Sequence, residues 1–211
     1  MPASKGTSGT AIPNEERRRR NTQRILDVSE QRIVRSGYAA ATMDRIAADA
    51  EVTKGTLYFY FDSKEALLDA LLQRSEDTIF APALTLLDDR TTGAAERLIA
   101  YFNYMGASTD RIGGYLLPVT ASLQLDAVPD AALRRIGRLY ETIQTRLAAV
   151  ISDGMTGGEF TPDVPARERA AFITATMDGM LLEWHRRGAQ LDGAAFLRAG
   201  RRCIAAGLRY S

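Results

Sequence analysis

The stretch Thr42–Leu68, TMDRIAADAEVTKGTLYFYFDSKEALL, constrains the fold of this 211-residue chain more than any other. Thr42, Thr53 and Ser63 each stand where a side-chain oxygen can accept from the free N–H groups of a helix's first turn. Asp44 and Glu65 follow two of them, where negative charge suits the helix dipole. Met43, Ile46, Ala47 and Ala50 are spaced for one helical face. These signals predict a helix from Met43 to about Asp49, a tight turn at Ala50-Glu51-Val52, a second helix from Lys54 to about Phe61, and a third starting at Ser63. Two short helices joined by such a turn are the helix-turn-helix pattern, residues 42–61, whose second helix can enter a DNA major groove.

The second helix, KGTLYFYF, divides into two faces. Leu57 and Phe61 are four apart and can pack inward together, while Lys54, Tyr58 and Phe59 lie elsewhere. Gly55 is a poor helix former, about 1 kcal/mol worse than Ala in a helix interior. Its presence in the first turn suits close approach of backbone to a ligand, and the free N–H groups there suit a phosphate. Clustered aromatics with hydroxyls fit phosphates and thymine methyls. A helix pair packed into an ordinary core accounts for the same spacing.

Charge alone does not decide between these readings. The net charge is +1 and 45% of the residues are hydrophobic, as in an ordinary soluble globular protein. A nucleoid-type architectural protein should show a large basic excess, absent here. Arg17–Arg20 form a basic run that opens the first helix; beside a helix-turn-helix it can reach phosphates or the adjacent minor groove, and otherwise it is a solvated run. Residues 1–16, rich in Ser, Thr, Gly, Ala and Pro at their start, are expected to be a disordered tail.

Enzyme chemistry finds no footing in this sequence. His185 is the single histidine and Cys203 the single cysteine, so no metal-spaced cluster and no disulfide framework exist. No Walker-type loop and no G-x-G-x-x-G after a strand is present. His185 is expected to be structural or at the surface, and Cys203 a small buried residue. No metal and no cofactor are expected. No apolar run approaches the ~18 residues of a membrane span, and Met1–Glu16 lacks a signal-peptide core. A cytoplasmic protein without membrane partners is expected.

From Ser63 onward the pattern is helical. A helix runs from Ser63 towards Phe80 or beyond, with Pro82 kinking or ending it. Ala94 to about Ala107 follows. Residues 111–126 read as less regular, broken by Gly113-Gly114 and Pro118. Asp130 is expected to cap a helix to about Ser152. Two more helices close the chain, Ala166–Arg187 and Asp192–Leu208. The last has Phe196, Gly200, Cys203 and Gly207 on one stripe, where small residues admit another helix, either of the same chain or of a second copy.

T-M-D-R-I-A, with V-T-K-G-T-L-Y-F-Y-F-D-S-K-E-A-L, resembles the DNA-binding segment of the TetR family of bacterial transcriptional repressors. The resemblance extends back through Gly37-Tyr38 to about Arg24, roughly the first third of the chain. It departs at Glu51, where the family usually has Gly, which suggests a turn that is strained or set at a slightly different angle. It departs again at Arg32 and Ile33, where the family usually has Leu and Phe, which suggests looser packing. The resemblance implies an all-α protein with a three-helix DNA-binding domain at residues 17–65 and a helical-bundle ligand-binding and dimerisation domain at residues 66–211. It implies contacts to double-stranded operator DNA at Thr42, Thr53, Lys54, Gly55, Thr56, Tyr58, Phe59, Tyr60 and Lys64, with Thr42 and Lys64 on phosphates. It implies a homodimer on a palindromic operator, paired through the last two helices and thus through Phe196, Gly200, Cys203 and Gly207. It also implies release by an unidentified, mainly apolar small molecule, for which Tyr101, Phe102, Met105, Tyr115, Tyr140, Met177, Met180 and Trp184 are candidate contacts; such a stripe is more often core than pocket.

Overall fold

The computed structural model describes residues 14–107 and 112–208. The described residues form ten α-helices and no strand: α1 (Asn14–Ser36), α2 (Met43–Asp49), α3 (Lys54–Tyr60), α4 (Lys64–Ser75), α5 (Ala81–Asp88), α6 (Ala94–Ala107), α7 (Ile112–Ser122), α8 (Asp130–Thr156), α9 (Ala166–Arg187) and α10 (Gly193–Ala206). None is long and apolar enough to cross a membrane. The expected tail falls at residues 1–13 outside the described residues. Residues 14–16, also expected there, are helical, because Glu15 and Glu16 supply first-turn charge to α1.

Helices α2, α3 and α4 form as their caps dictate. Thr42 accepts from the Arg45 N–H at 3.4 Å, Thr53 from Thr56 at 3.1 Å and Ser63 from Ala66 at 3.1 Å. Gly37 ends α1 at φ +84°, a left-handed conformation suited to glycine. The turn between α2 and α3 holds Glu51 at φ 50°, so the expected strain is present in the backbone. Behind the motif, Ile25, Ile33, Ile46, Leu57 and Leu67 are fully buried, with Tyr38 beneath them. The expectation of looser packing at Arg32-Ile33 is overturned. Ile33 is completely enclosed, and Arg32 ion-pairs Asp49 on α2, tying the two helices together.

α4 continues into α5 through a π-helical stretch, Glu76–Phe80. Pro82 therefore neither ends nor interrupts the rod. It sits in the first turn of α5, and the Thr78 carbonyl four residues before it accepts from the Tyr104 hydroxyl at 3.1 Å; the break in helical phase lies just before it. Two clamps hold α4. Arg74 pairs with Asp27 at 2.6 Å and Glu30 at 2.7 Å on α1. Arg135 on α8 reaches Asp69 at 2.6 Å and Glu76 at 2.8 Å. Between them the Ser75 hydroxyl donates to the Gly114 carbonyl of α7 at 2.6 Å.

α7 is a regular helix with Pro118 inside it, where irregular chain was expected. Its apolar residues Tyr115, Leu116, Leu117 and Val119 are buried, and that burial outweighs the helix-breaking residues. α8 starts after an extended Pro129, so Asp130 is a first-turn residue and not the cap, and the helix runs past Ser152 to Thr156. It can do so because Gly154 lets it cross Phe160 and Ala94. A Cβ there would lie 2.2 Å from the Phe160 ring. Glu159 caps α6 from a distance, its carboxylate accepting from the Ala94 and Ala95 N–H groups at 2.9 Å each.

Two cores result. The first gathers α1–α4 and continues into Leu117, Ala121, Val128, Ala132 and Ile136 of the following elements. The second lies among α5, α6, α8, α9 and α10, around Leu87, Leu98, Tyr101, Leu147, Ile151 and Ile173. We refer to α1–α3 with the start of α4 as the head, and to the remainder as the body.

Candidate nucleic-acid interface and ligand cavity

α3 presents its outer face to solvent because its inner face is used up by Leu57 and Phe61, both buried. Phe59 is 70% exposed and Tyr58 41% exposed. Such exposure of large apolar rings on a short helix calls for a partner surface. Gly55 has open space where a side chain would stand, and Thr53 and Thr56 hydrogen-bond each other at 2.8 Å. Lys54 pairs with Asp44 at 2.7 Å across the turn, which raises its pKa; an incoming phosphate would compete with that carboxylate. Thr42 is exposed. Lys64 lies 3.9 Å over the Tyr38 ring and donates to the Ala39 carbonyl at 3.4 Å. Burial lowers its pKa, yet it stays at the N-terminus of α4, where anions gather. Tyr60 turns back towards α1, its hydroxyl accepting from the Asn21 amide at 3.3 Å.

The same fold brings the basic run to α3. Arg17, Arg18 and Asn21 of α1 and Gly55, Thr56 and Phe59 of α3 line one notch of about 400 Å³. The Arg18 guanidinium stands 5.8 Å from the Phe59 ring centre. Cations and exposed rings thus share one edge of the head.

Among the described residues the body's aromatic side chains are buried or half-buried, apart from Phe172 of α9, which is exposed. A cavity of about 40 Å³ is lined by Phe102, Met105, Tyr115, Met177, Met180 and Trp184 together with residues of α10. A neighbouring groove of about 270 Å³ lies between α6 and α10, and Phe102 and Arg201 line both spaces. Tyr101 and Tyr140 line neither space. Both instead surround Asp178 of α9. Burial pushes the Asp178 carboxyl up to about 6, opposed by a hydrogen bond from the Tyr140 hydroxyl. Burial and then charge raise both tyrosine hydroxyls in turn.

Sequence comparison matches residues 25–71 to "Bacterial regulatory proteins, tetR family". It matches residues 119–209 to "BetI-type transcriptional repressor, C-terminal". The two matches span more than half of the chain, one on the head and one on the body. The chain belongs to the TetR family. Its members are transcriptional regulators and not enzymes, and this chain is a DNA-binding transcriptional regulator of that family. It is 26% identical over 160 residues to the HTH-type transcriptional repressor DhaR of Mycobacterium sp. (strain GP1), covering 76% of this chain and 80% of that protein. The crystal structure of the MbdR regulator from Azoarcus sp. CIB is similar at a TM-score of 0.82 with 29% identity, over 90% of this chain and 100% of that one. The FadR regulator from Bacillus subtilis, solved in complex with stearoyl-CoA, shares the fold at a TM-score of 0.67 and 20% identity, over 89% and 99%.

Within this TetR-family frame the anticipated stripe of α10 divides. Gly200 faces its own chain: a Cβ there would lie 2.3 Å from Met180 of α9. Phe196 is half-buried. Cys203, expected to be buried, is exposed, and so is Gly207. Cys203 and Gly207 line a groove of about 390 Å³ between α9 and α10 with Val164 and Phe172. Phe172 is 68% exposed. His185 is exposed in the last turn of α9, as expected. Phe172 was missed because it falls outside the stepped apolar series of α9, which marks the inner face; its outward position was the available signal. Asp178 was missed because one acidic residue in a long helix reads as solvated.

Proposed function

We propose that this chain is a cytoplasmic homodimeric repressor that binds a palindromic operator through α3 and leaves it when a mainly apolar small molecule enters the body. Residues 17–65 carry the DNA contacts and residues 66–211 carry ligand binding and dimerisation. The observation that carries the reading is the outer face of α3, where Tyr58 and Phe59 are exposed beside an open Gly55 backbone and Arg17 and Arg18. Thr53, Lys54 and Thr56 approach base edges, and Thr42 and Lys64 take phosphates. A second copy fits the groove of Phe172, Cys203 and Gly207, since a two-fold pairing of the same patch closes the assembly and doubles the head on a two-fold operator.

Release follows if the ligand binds the DNA-incompetent arrangement more tightly. The rod of α4 and α5 supports this, because it leaves the head directly and is clamped to α8 through Arg135. The FadR neighbour, whose structure holds stearoyl-CoA, supports a body that takes a largely apolar ligand.

The test is titration of labelled DNA from upstream of the gene at several salt concentrations, with sedimentation of the free protein. A dimer and a salt-dependent, sequence-specific complex are expected. Lys64→Gln should reduce the salt slope by about 1 per contact. A monomer, or affinity unchanged in both Tyr58→Ala and Lys64→Gln, would overturn the reading.

A further inference from the structure

Resting on the ligand-released reading, we propose that the α6–α10 groove and the cavity behind it form one site for an anionic amphiphile. Its charged head sits on Arg198, Arg201 and Arg202, and its apolar tail lies along Leu98, Phe102 and Phe160.

The groove is lined almost entirely by carbon, yet these three arginines of α10 line it as well. Arg201 and Arg202 stand three and four residues after Arg198, so the three share one helix face and repel one another. Among the described residues none of the three meets a carboxylate. Elsewhere in the body Arg97, Arg135, Arg146 and Arg169 each do. Arg201 is instead held by the Asn103 side chain of α6, which aims its guanidinium without neutralising it. An uncompensated cationic cluster over an apolar trough is complementary to a molecule with a negative head and a hydrocarbon tail. The planar guanidinium fork suits carboxylate and phosphate equally.

The dimensions suit a tail of modest length. The groove, about 270 Å³, lies near the lower end of small-molecule sites. Phe102 and Arg201 also wall the inner cavity, so a tail passing Phe102 enters a space lined by methionines. Met177 and Met180 line that space, and thioether side chains re-pack readily around an irregular guest. The groove lies on the α6 flank of α10, while the Phe172 groove lies on the α9 flank. The two grooves share only Leu208 among their walls, so ligand and second copy take largely separate surfaces.

The full chain is titrated calorimetrically with octanoyl-CoA, octanoate and octanol, which share a tail and differ in the head. Saturable binding of octanoyl-CoA or octanoate is expected, with octanol weaker by about tenfold or more. Preference for octanoyl-CoA identifies a phosphorylated head, and preference for octanoate a free carboxylate. Arg198→Gln/Arg201→Gln/Arg202→Gln should weaken the anion by about tenfold or more and leave octanol unchanged, and Arg201→Lys should keep part of the affinity. Failure of both anions to bind, equal affinity for octanol, or anion affinity indifferent to the arginines would each overturn the proposal. The companion reading is separable. Octanol that releases operator DNA without involving the arginines sinks this site and leaves ligand release standing. Arginine-dependent anion binding that never changes operator affinity upholds the site and removes ligand release.

Discussion

α3 of the head and the interior of the body use aromatic side chains in opposite ways. On α3 of the head, Phe59 and Tyr58 face solvent, held there because Leu57 and Phe61 occupy the interior. In the body, Tyr101, Phe102, Tyr115 and Phe160 are buried, and space for a guest appears only where their packing is incomplete. A function displayed on a surface can be altered with little change in folding. A function set inside packing cannot, because each wall of the cavity is also part of the core. The same contrast governs charge. Lys54 and Asp44 on the head form an exposed pair that a phosphate can break, whereas Arg97 in the body is 6% exposed and bonded to Asp153 at 2.8 Å.

If this contrast holds, substitutions should rank by how far inside the molecule they act. Asp153→Ala should cost most, about 3 kcal/mol, because it leaves the Arg97 guanidinium buried without its carboxylate; partial exposure of Asp153 keeps the loss at the lower end. Urea denaturation measures it. A loss below about 1 kcal/mol would place the body's charges among the head's.

Asp178→Asn should act in the opposite direction, and only above a certain pH. The Asp178 carboxyl is raised to about 6 in the folded protein by burial, so the folded state holds that proton more tightly than the unfolded chain does. The associated stability is fully present below about pH 4 and is lost as pH rises through about 6. The variant should therefore gain on the order of 1–3 kcal/mol at neutral pH and almost nothing at about pH 4. Thermal melts at the two pH values decide it; equal shifts at both would show that Asp178 is not titrating.

Glu51→Gly should stabilise by about 0.5–1 kcal/mol. It relieves a left-handed residue at φ 50°, offset in part by the freer unfolded chain. A destabilised variant would show that the turn carries no strain. The smallest change in stability, within about 0.5 kcal/mol, is expected for Phe59→Ala, although it should weaken operator binding by about tenfold or more. A melt shifted as far as that of Asp153→Ala would erase the distinction between head and body.

The head was the more legible region because its instructions are local. Thr42, Thr53 and Ser63 act within three residues of themselves, so capping chemistry reads directly from the chain. Glu51 at an otherwise glycine-favouring turn was equally visible. The cavity wall was partly legible, since stepped Met and aromatic residues mark an inward helix face. That pattern cannot separate a cavity wall from solid core, and so Tyr101 and Tyr140 were grouped with Phe102 and Trp184. The least legible features join distant segments: Gly200 against Met180, Arg135 against Glu76, and the arginines of α10 over the groove of α6. Each depends on which helix faces which, and helical periodicity does not encode that.

The π-helical stretch at Glu76–Phe80 also fixes the angular setting of the molecule. A residue advances an α-helix by about 100°, and a π turn accommodates one more residue per hydrogen-bonded loop than an α turn. Removing a single residue from Glu76–Phe80 would let the ladder run from α4 into α5 without a change of phase. Because the wider π turn absorbs most of the extra residue's rotation, the head would turn relative to the body by only a fraction of that angle. Arg135 would then meet Asp69 and Glu76 at a changed angle, and its clamp on α4 would loosen. The chain length between Ser75 and Ala81 therefore acts as an indexing setting, one that substitutions leave alone and a one-residue deletion resets.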